Sequence, residues 1–580
     1  MSALAALPTD RKTVLRVGNC SGFYGDRFSA MREMLEGGEL DVLTGDYLAE
    51  LTMLILARDR VKDPTTGYAK TFLRQVEQSL GLAIDKGVTL VANAGGVNPA
   101  GLAAAVRKLA QRLGLSVRVG YVAGDDLTAR AAELGLGDPL AAHAYLGAFG
   151  IAEGLRAGTD VLVTGRVTDA SVIIGPAIAH FGWQRTDLDA LAGATVAGHI
   201  IECGTQASGG NFAFFTEIPD LVRPGFPIAE IHADGSSVIT KHPGTGGAVT
   251  TDTILSQLLY EVTDARYAGP DVTTRLDTIR LAQDGPDRVR VTGVRGEAPP
   301  PDVKVSCNRI GGYRNEMTLV LTGLDIDAKA TLARRQLEDA LPARPSELTW
   351  TLARTDHPDA DSEQTSAALL TVVARDTDER RVGRAFSNAA VEIALGSFPG
   401  FHAATPPNAG QAYGVFVPGF VPQSVPEHHV VLPDGERRTI DPPAQTQPLV
   451  PLPTEELPYA AQLTGPTRRV PLGLLYGARS GDKGGDANVG LWARSDAAYE
   501  WLALTMTIAR LRELLPEVSG LTVTRATLPG LRAINFVVEG ILGQGVAYNA
   551  RFDPQAKGLG EWLRSRHVDL PEALLEEAGQ

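Results

Sequence analysis

Residues 14–27 read VLRVGNCSGFYGDR, an apolar run that passes into a polar loop punctuated by glycine. Val14, Leu15 and Val17 predict a short strand. Gly18, Gly22 and Gly25 end it, and Phe28, Met31, Met34 and Leu35 then recur at helical spacing. The same succession repeats through the first 200 residues. Leu40 to Leu43 ends in Thr44-Gly45-Asp46, before a Leu-rich helix from Tyr47 to Arg58. Val88 to Val91 ends in Asn93-Ala94-Gly95-Gly96-Val97-Asn98-Pro99, where Asn98 suits a helix N-cap and Pro99 a first turn. Val117 to Val122 runs to Gly124-Asp125-Asp126, and a helix is expected over 139–157. Asp160 to Val163 then runs to Thr164-Gly165-Arg166-Val167-Thr168-Asp169. Repeated strand–loop–helix units predict an α/β fold, an open and mainly parallel sheet with helices on both faces. Loops at the carboxyl ends of such strands share one edge, and ligands bind there.

From residue 205 the texture changes. Ile228 to Thr240 predicts two strands about the Asp234-Gly235 turn, then a loop from Lys241 to Gly247 and a helix from Thr251. Strand-like runs recur at 277–282 and 288–293, and Val303 to Ser306 leads into a polar loop at Arg309 to Asn315. A helix over 325–343 and runs at 369–373 and from Val382 add one more α/β layer. Eight prolines between Pro433 and Pro466 exclude a helix or central strand, so 441–468 reads as a linker. It separates a core at 1–440, divisible at 205/206, from a small α+β unit at 469–580. In that unit the stretch 477–488, GARSGDKGGDAN, is expected to be a long polar loop, a lid or binding loop rather than a plain hairpin. A helix over 497–515 and strands at 521–527 and 534–540 complete it.

The 580 residues carry 54 Lys and Arg against 68 Asp and Glu, a net −14, which argues against nucleic acid or an anionic membrane surface as partner. No run approaches the ~20 apolar residues of a membrane span. The N-terminus, MSALAALPTDRKTVLRVG, lacks the basic-then-apolar order of a signal peptide, so a cytoplasmic location is expected. Cys20, Cys203 and Cys307 make neither a disulfide framework nor a CxxC zinc site.

No GxGxxG follows the first strand, Lys483 closes no Walker A loop, and neither GxSxG nor HExxH occurs. No redox cofactor is evident, and the candidates come from the strand ends. Asn19 and Arg27 frame a loop whose N–H groups suit an anion, with Asp26 as a plain helix cap in the blander reading. Cys20 and Ser21 have no assignable base as nucleophiles. Asn93, Gly95 and Gly96 offer amides and close backbone approach. Arg166 suits an anion clamp, and Asp46 and Asp169 place carboxylates at the same edge. His199 and Glu202, at i and i+3, share a helix face and suit an acid–base pair; metal binding is the alternative, with no third ligand identifiable. Asn211 lies in the flexible polar stretch beyond them. Lys241 with Gly246 and Gly247 suits a phosphate or the phosphopantetheine arm of a coenzyme A ester. Arg314, Asp482 and Lys483 stand in comparable glycine-rich segments.

These segments, together with DVLTGDYLAE (41–50), ECGTQASGGNF (202–212), GGYRNEMTLVLTGLD (311–325) and LYGARSGDKGGDANVGLW (475–492), resemble the acyclic terpene utilisation AtuA family, a family of unknown function. The resemblance spans nearly the whole chain. It implies an AtuA core, a C-terminal domain of ferredoxin-like fold, and a setting in bacterial breakdown of citronellol- and geraniol-type terpenoids beside acyl-CoA carboxylases. It carries over no catalytic residue set. The expectation is an enzyme acting on a carboxylate or acyl-CoA intermediate by hydratase, hydro-lyase or hydrolase chemistry. Asp46, Asp169, His199 and Glu202 would move protons; Arg27, Arg166, Lys241 and Lys483 would hold the substrate anion. A non-catalytic subunit assisting an acyl-CoA carboxylase, and a metal-dependent lyase, are the alternatives. A homo-oligomer is expected.

Overall fold

The apolar residues of the first strands alternate between two faces, and helices cover both. In a computed structural model describing residues 13–450, 452 and 465–580, these strands are β1 (Val14–Asn19), β2 (Val42–Gly45), β3 (Thr89–Ala92), β4 (Val119–Ala123), β5 (Ala141–Ala144) and β6 (Val161–Thr164). The reading of residues 1–12, and of 451 and 453–464 in the proline-rich linker, lies outside the described residues. Helices α1 (Ala30–Gly37), α2 (Glu50–Lys62), α3 (Lys70–Lys86), α4 (Pro99–Arg112), α5 (Phe149–Arg156), α6 (Ser171–Phe181) and α7 (Leu188–Ile201) connect or follow them. Leu43, Leu90, Val161 and Val163 pack with Met31, Phe72 and Leu102 of α1, α3 and α4. Leu15, Val42, Val91 and Leu162 pack on the other face with Ile173, Ile174 and Val196 of α6 and α7. Strands buried on both faces need apolar residues at consecutive positions, which is how they read in the sequence.

Strands β1, β2, β3, β6 and β4 lie side by side in that order, all parallel. Beyond β1 the sheet continues antiparallel through β7 (Pro227–His232), β8 (Ser237–Lys241) and the hairpin Val289–Thr292/Arg280–Gln283. Beyond β4 it ends in the pair His429–Val431 and Arg437–Thr439. The eleven-stranded sheet is thus parallel at its centre, where the glycine-rich loops leave it, and antiparallel at its flanks. Helix α8 (Thr251–Leu258) follows β8 and starts with a capping box on Thr250.

Contacts divide the chain into two compact units: Met1–Asn308, Phe416–Leu542 and Gln555–Gln580, and Arg309–Val415 with Gly543–Pro554. In the second unit, Ala367–Asp376 pairs antiparallel with Glu347–Ala353 and with Tyr313–Thr322. The polar loop expected at Arg309 to Asn315 is instead part of one strand, Asp302–Thr322. Its glycines make room for neighbours: a Cβ at Gly311 would sit 2.6 Å from the Tyr413 ring.

Three further expectations need correction. Within 139–157 a strand, β5, precedes the helix, because Ala141–Ala144 pairs with Val305–Asn308, a distant segment that overrides alanine's helical preference. The helix over 497–515 is two, Asp496–Thr505 and Ile508–Leu514, the second capped by Thr507. GARSGDKGGDAN is not a loop. Tyr476–Lys483 and Asp486–Ala493 pair residue for residue around a two-residue Gly484-Gly485 turn. Ala533–Val538 and Val523–Leu528 complete a four-stranded antiparallel sheet. Its glycines admit large side chains: a Cβ at Gly477 would lie 2.1 Å from Trp492, and one at Gly481 2.3 Å from Tyr260. Among the described residues no helix is long and apolar enough to cross a membrane.

Candidate active site

The loops at the carboxyl ends of β1, β2, β3 and β6 are fastened by their own amides. Asn19, fully buried, donates to the carbonyls of Ser21 (2.9 Å), Ile201 (2.7 Å) and Glu202 (3.1 Å), tying β1 to the end of α7. A Cβ on Gly22 would stand 2.8 Å from the Cys203 Cα, so only glycine lets this loop rest on the chain beyond α7. Asn93 donates to Asp46 Oδ1 at 2.5 Å and accepts the Tyr47 N–H at 2.7 Å. Two strand ends thereby hold one carboxylate still. Arg166, buried, pairs with Asp169 at 2.9 Å and lies over the Tyr145 ring at 4.2 Å. Its backbone N–H donates to Asp125 (2.8 Å), which also takes a 2.7 Å hydrogen bond with His143 Nδ1.

The last turn of α7 brings His199 and Glu202 together, Nδ1 to Oε1 at 2.9 Å. The His199 ring lies 5.4 Å from the Tyr267 ring. His199 Nε2, Glu202 Oε2 and Arg166 Nε are buried without a hydrogen-bond partner. Buried polar atoms are rarely left so, and in a cluster they mark where another group docks.

The remaining walls come from the C-terminal hairpin and from two residues that sequence reasoning passed over, Glu50 and Lys304. Glu50 opens α2; its carboxylate accepts from Tyr145 Oη at 3.3 Å and lies 3.7 Å from Lys304 Nζ. Lys304 stands in the strand DVKVS, where alternation sends it to the face opposite Val303 and Val305, a signal legible in the sequence. The C-terminal hairpin adds Asp482 and Lys483, the latter 4.0 Å from Glu261. Asn488 fixes that approach by accepting the Glu261 N–H (3.0 Å) and donating to the Leu259 carbonyl (2.6 Å). Arg479 lies over Tyr260 at 4.4 Å.

Burial and mutual charge set the electrostatics. Burial, with the Asp169 charge, lifts Asp46 well above the usual carboxylate range. Burial lifts Glu202 above the usual carboxylate range against the pull of His199, while the hydrogen bond and charge of Glu202 lift His199 despite its burial. Burial, with Glu261 and Glu50 nearby, lifts Asp482 to about 7. Glu50 behaves oppositely. Burial would raise it, but Lys304, Arg166 and Lys483 outweigh burial and hold it at about 2. Lys483 and Arg166 stay above their usual values because carboxylates outweigh their burial.

Asp46, Asp169, His199, Glu202, Arg166, Asp482 and Lys483 thus come together, with Asn19 and Asn93 as fasteners. Other candidates stand elsewhere or are occupied. Arg27 is taken by the Pro224 carbonyl (2.8 Å), Glu33 (3.1 Å) and the Phe226 ring. Lys241, at the end of β8, donates to the Thr245 carbonyl (2.6 Å) and pairs with Asp287 (3.0 Å). Gly246 and Gly247 pack against the carbonyls of Asp220 and Ser208, so they fill space rather than open it. Gly95 and Gly96 likewise meet the Thr164 carbonyl and the Leu56 side chain. Asn211 contributes its carbonyl to Arg479 at 3.2 Å. Arg314 belongs to the second unit, bonded to the carbonyls of Ala547 and Asn549.

Among the described residues no group of three or more His, Cys, Asp or Glu side chains is arranged to hold a metal ion. Residues 15–432 match the family described as acyclic terpene utilisation family protein AtuA, and residues 470–569 match the AtuA ferredoxin-like domain. No curated protein matches the chain.

Proposed function

The chain belongs to the acyclic terpene utilisation AtuA family, and from that premise we propose that its strand-end cluster is an acid–base active site. The substrate is a branched carboxylate or its acyl-CoA thioester, and the reaction adds or removes water, or hydrolyses. One observation carries this reading: His199 Nε2 and Glu202 Oε2, both buried and unpartnered, face a cluster that also holds Asp46, Asp169, Arg166 and Lys483.

The division of labour follows from the electrostatics. Arg166 and Lys483 remain cations and bind the carboxylate or the polarised thioester oxygen. His199, oriented through Nδ1 by Glu202, has Nε2 free to take a proton from the substrate or from water. Asp46, whose carboxyl burial and the Asp169 charge hold well above the usual carboxylate range, is the acid that delivers a proton to a departing oxygen. Burial makes each of these charge interactions stronger than in water.

Thermal-shift screening of terpenoid acids and their coenzyme A esters should find one class that raises the melting temperature, and that class should be turned over. His199→Ala and Glu202→Gln should melt close to the unaltered protein and lose about 100- to 10,000-fold in turnover. A fully active double variant would remove the pair from the reaction.

A further inference from the structure

The acid–base reading leaves one half-buried amine without a task. Lys304 Nζ is 4.8 Å from the Tyr145 ring centre and 5.1 Å from that of Phe416. Its only ion-pair partner among the described residues is Glu50, at 3.7 Å, beyond hydrogen-bond distance. Lys241, by contrast, is held at 2.6 and 3.0 Å. Lys304 also sits among cations. Arg166 lies against the same Tyr145 ring, 4.2 Å from its centre. Gly484, next to Lys483, would meet the Phe416 ring at 3.3 Å with a Cβ. The strand fixes the arrangement, since the Tyr145 N–H donates to the Lys304 carbonyl at 2.9 Å.

We propose that Lys304 is a nucleophile that forms an imine with a ketone or aldehyde carrying a carboxylate, the carboxylate resting against Lys483. The nitrogen lone pair forms the C–N bond, and the carbonyl π electrons move to oxygen, which takes a proton from the Asp482 carboxyl group. The nitrogen returns a proton to that carboxylate. A second proton transfer to the hydroxyl releases water and leaves the protonated imine, for a net consumption of one proton. Removal from water and the neighbouring cations Lys483 and Arg166 both favour the neutral amine that this step requires.

The titration of the site agrees. Burial, aided by Lys483 and Arg166 and opposed by Glu50 and Asp169, lowers Lys304 to about 8. The groups acting on it are Glu50 from α2, Tyr145 after β5, Arg166 and Asp169 after β6, and Lys483 from the hairpin; Asp482 of that hairpin acts on the same Glu50. Asp482, near 7, is suited to give and retake a proton at neutral pH.

The test is borohydride trapping on the full chain with levulinate as probe, and acetone as the probe lacking a carboxylate. The ten lysines of the sequence serve as internal controls under peptide mapping. The expected result is one main adduct, at Lys304, with the mass of levulinate less one oxygen. Its rate should rise as pH passes about 8. Acetone should label more slowly, by 10-fold or more if Lys483 contributes about 1.4 kcal/mol to seating the carboxylate. Lys304→Arg and Lys304→Met should abolish the adduct; if either fails to fold, mapping of the unaltered protein decides alone. Adducts spread evenly over the lysines, an adduct at Lys483, or none at Lys304 would overturn the proposal. Turnover of an acid or thioester by a chain that fails this test would leave the acid–base reading standing.

Discussion

Asp482 shows how one side chain reports the site. Its folded pKa, about 7, lies above the ordinary 3.8, so the folded protein holds this proton more tightly than the unfolded chain. The stability tied to that proton is complete below about pH 4 and is lost as pH rises towards 7. The full shift would correspond to about 4 kcal/mol, and partial solvent exposure reduces the effect to about 1–2 kcal/mol. Asp482→Asn should therefore melt higher than the unaltered protein at pH 8, with the advantage growing between pH 4 and 7 and constant above. Melting curves at three pH values check it; an advantage independent of pH would mean that the carboxylate is not strained by burial. Asn93 makes the complementary case. Asn93→Ala removes the donor that holds Asp46 at 2.5 Å and the acceptor of the Tyr47 N–H, and should destabilise by about 1–3 kcal/mol while lowering turnover. Such roles are partly legible in the sequence: an asparagine beside paired glycines at a strand end signals a fastener, but not which carboxylate it fastens.

The strands and helices of the parallel centre were the most legible part, because burial on both faces leaves short apolar runs bounded by glycine. The C-terminal hairpin was the least legible. Gly, Ser, Asp and Asn are residues of loops, yet here they occupy paired strands, since Tyr260, Leu259 and Trp492 fill the volume their side chains leave. The same reasoning predicts that Gly481→Ala, whose methyl would lie 2.3 Å from the Tyr260 ring, displaces the hairpin and costs about 1–3 kcal/mol. The variant should also lose binding that depends on Lys483, two residues on. A variant that melts and binds as before would show that Tyr260 can move aside. Strand β5 was misread for a related reason: its partner, Val305–Asn308, is far away in sequence, and alanine alone favours a helix.

At the level of the assembled chain, the C-terminal sheet is seated on the core by buried amide and aromatic contacts. Asn488 and Asn535 satisfy the Leu259 and Val262 carbonyls and the Glu261 N–H, while Trp492 packs against Phe212 and Phe214. Asn488→Ala would leave two backbone groups unpaired and should cost about 2 kcal/mol or more, with Lys483 losing its place beside Glu261. A chain ending at residue 440 should expose the Phe212–Phe214 surface and be recovered mainly as aggregate; a soluble, monodisperse product would show that this surface needs no cover. Local pattern was enough to read the α/β class, the edge where loops gather, and the carboxylates and imidazole that stand at that edge. Which cations remained free to act was settled only by folding. Lys241 and Lys304 look alike along the chain, but a carbonyl and an aspartate from neighbouring loops reach the first, while aromatic rings surround the second. Pairing of a charge depends on which loops and strands meet in the fold, and no local pattern encodes that.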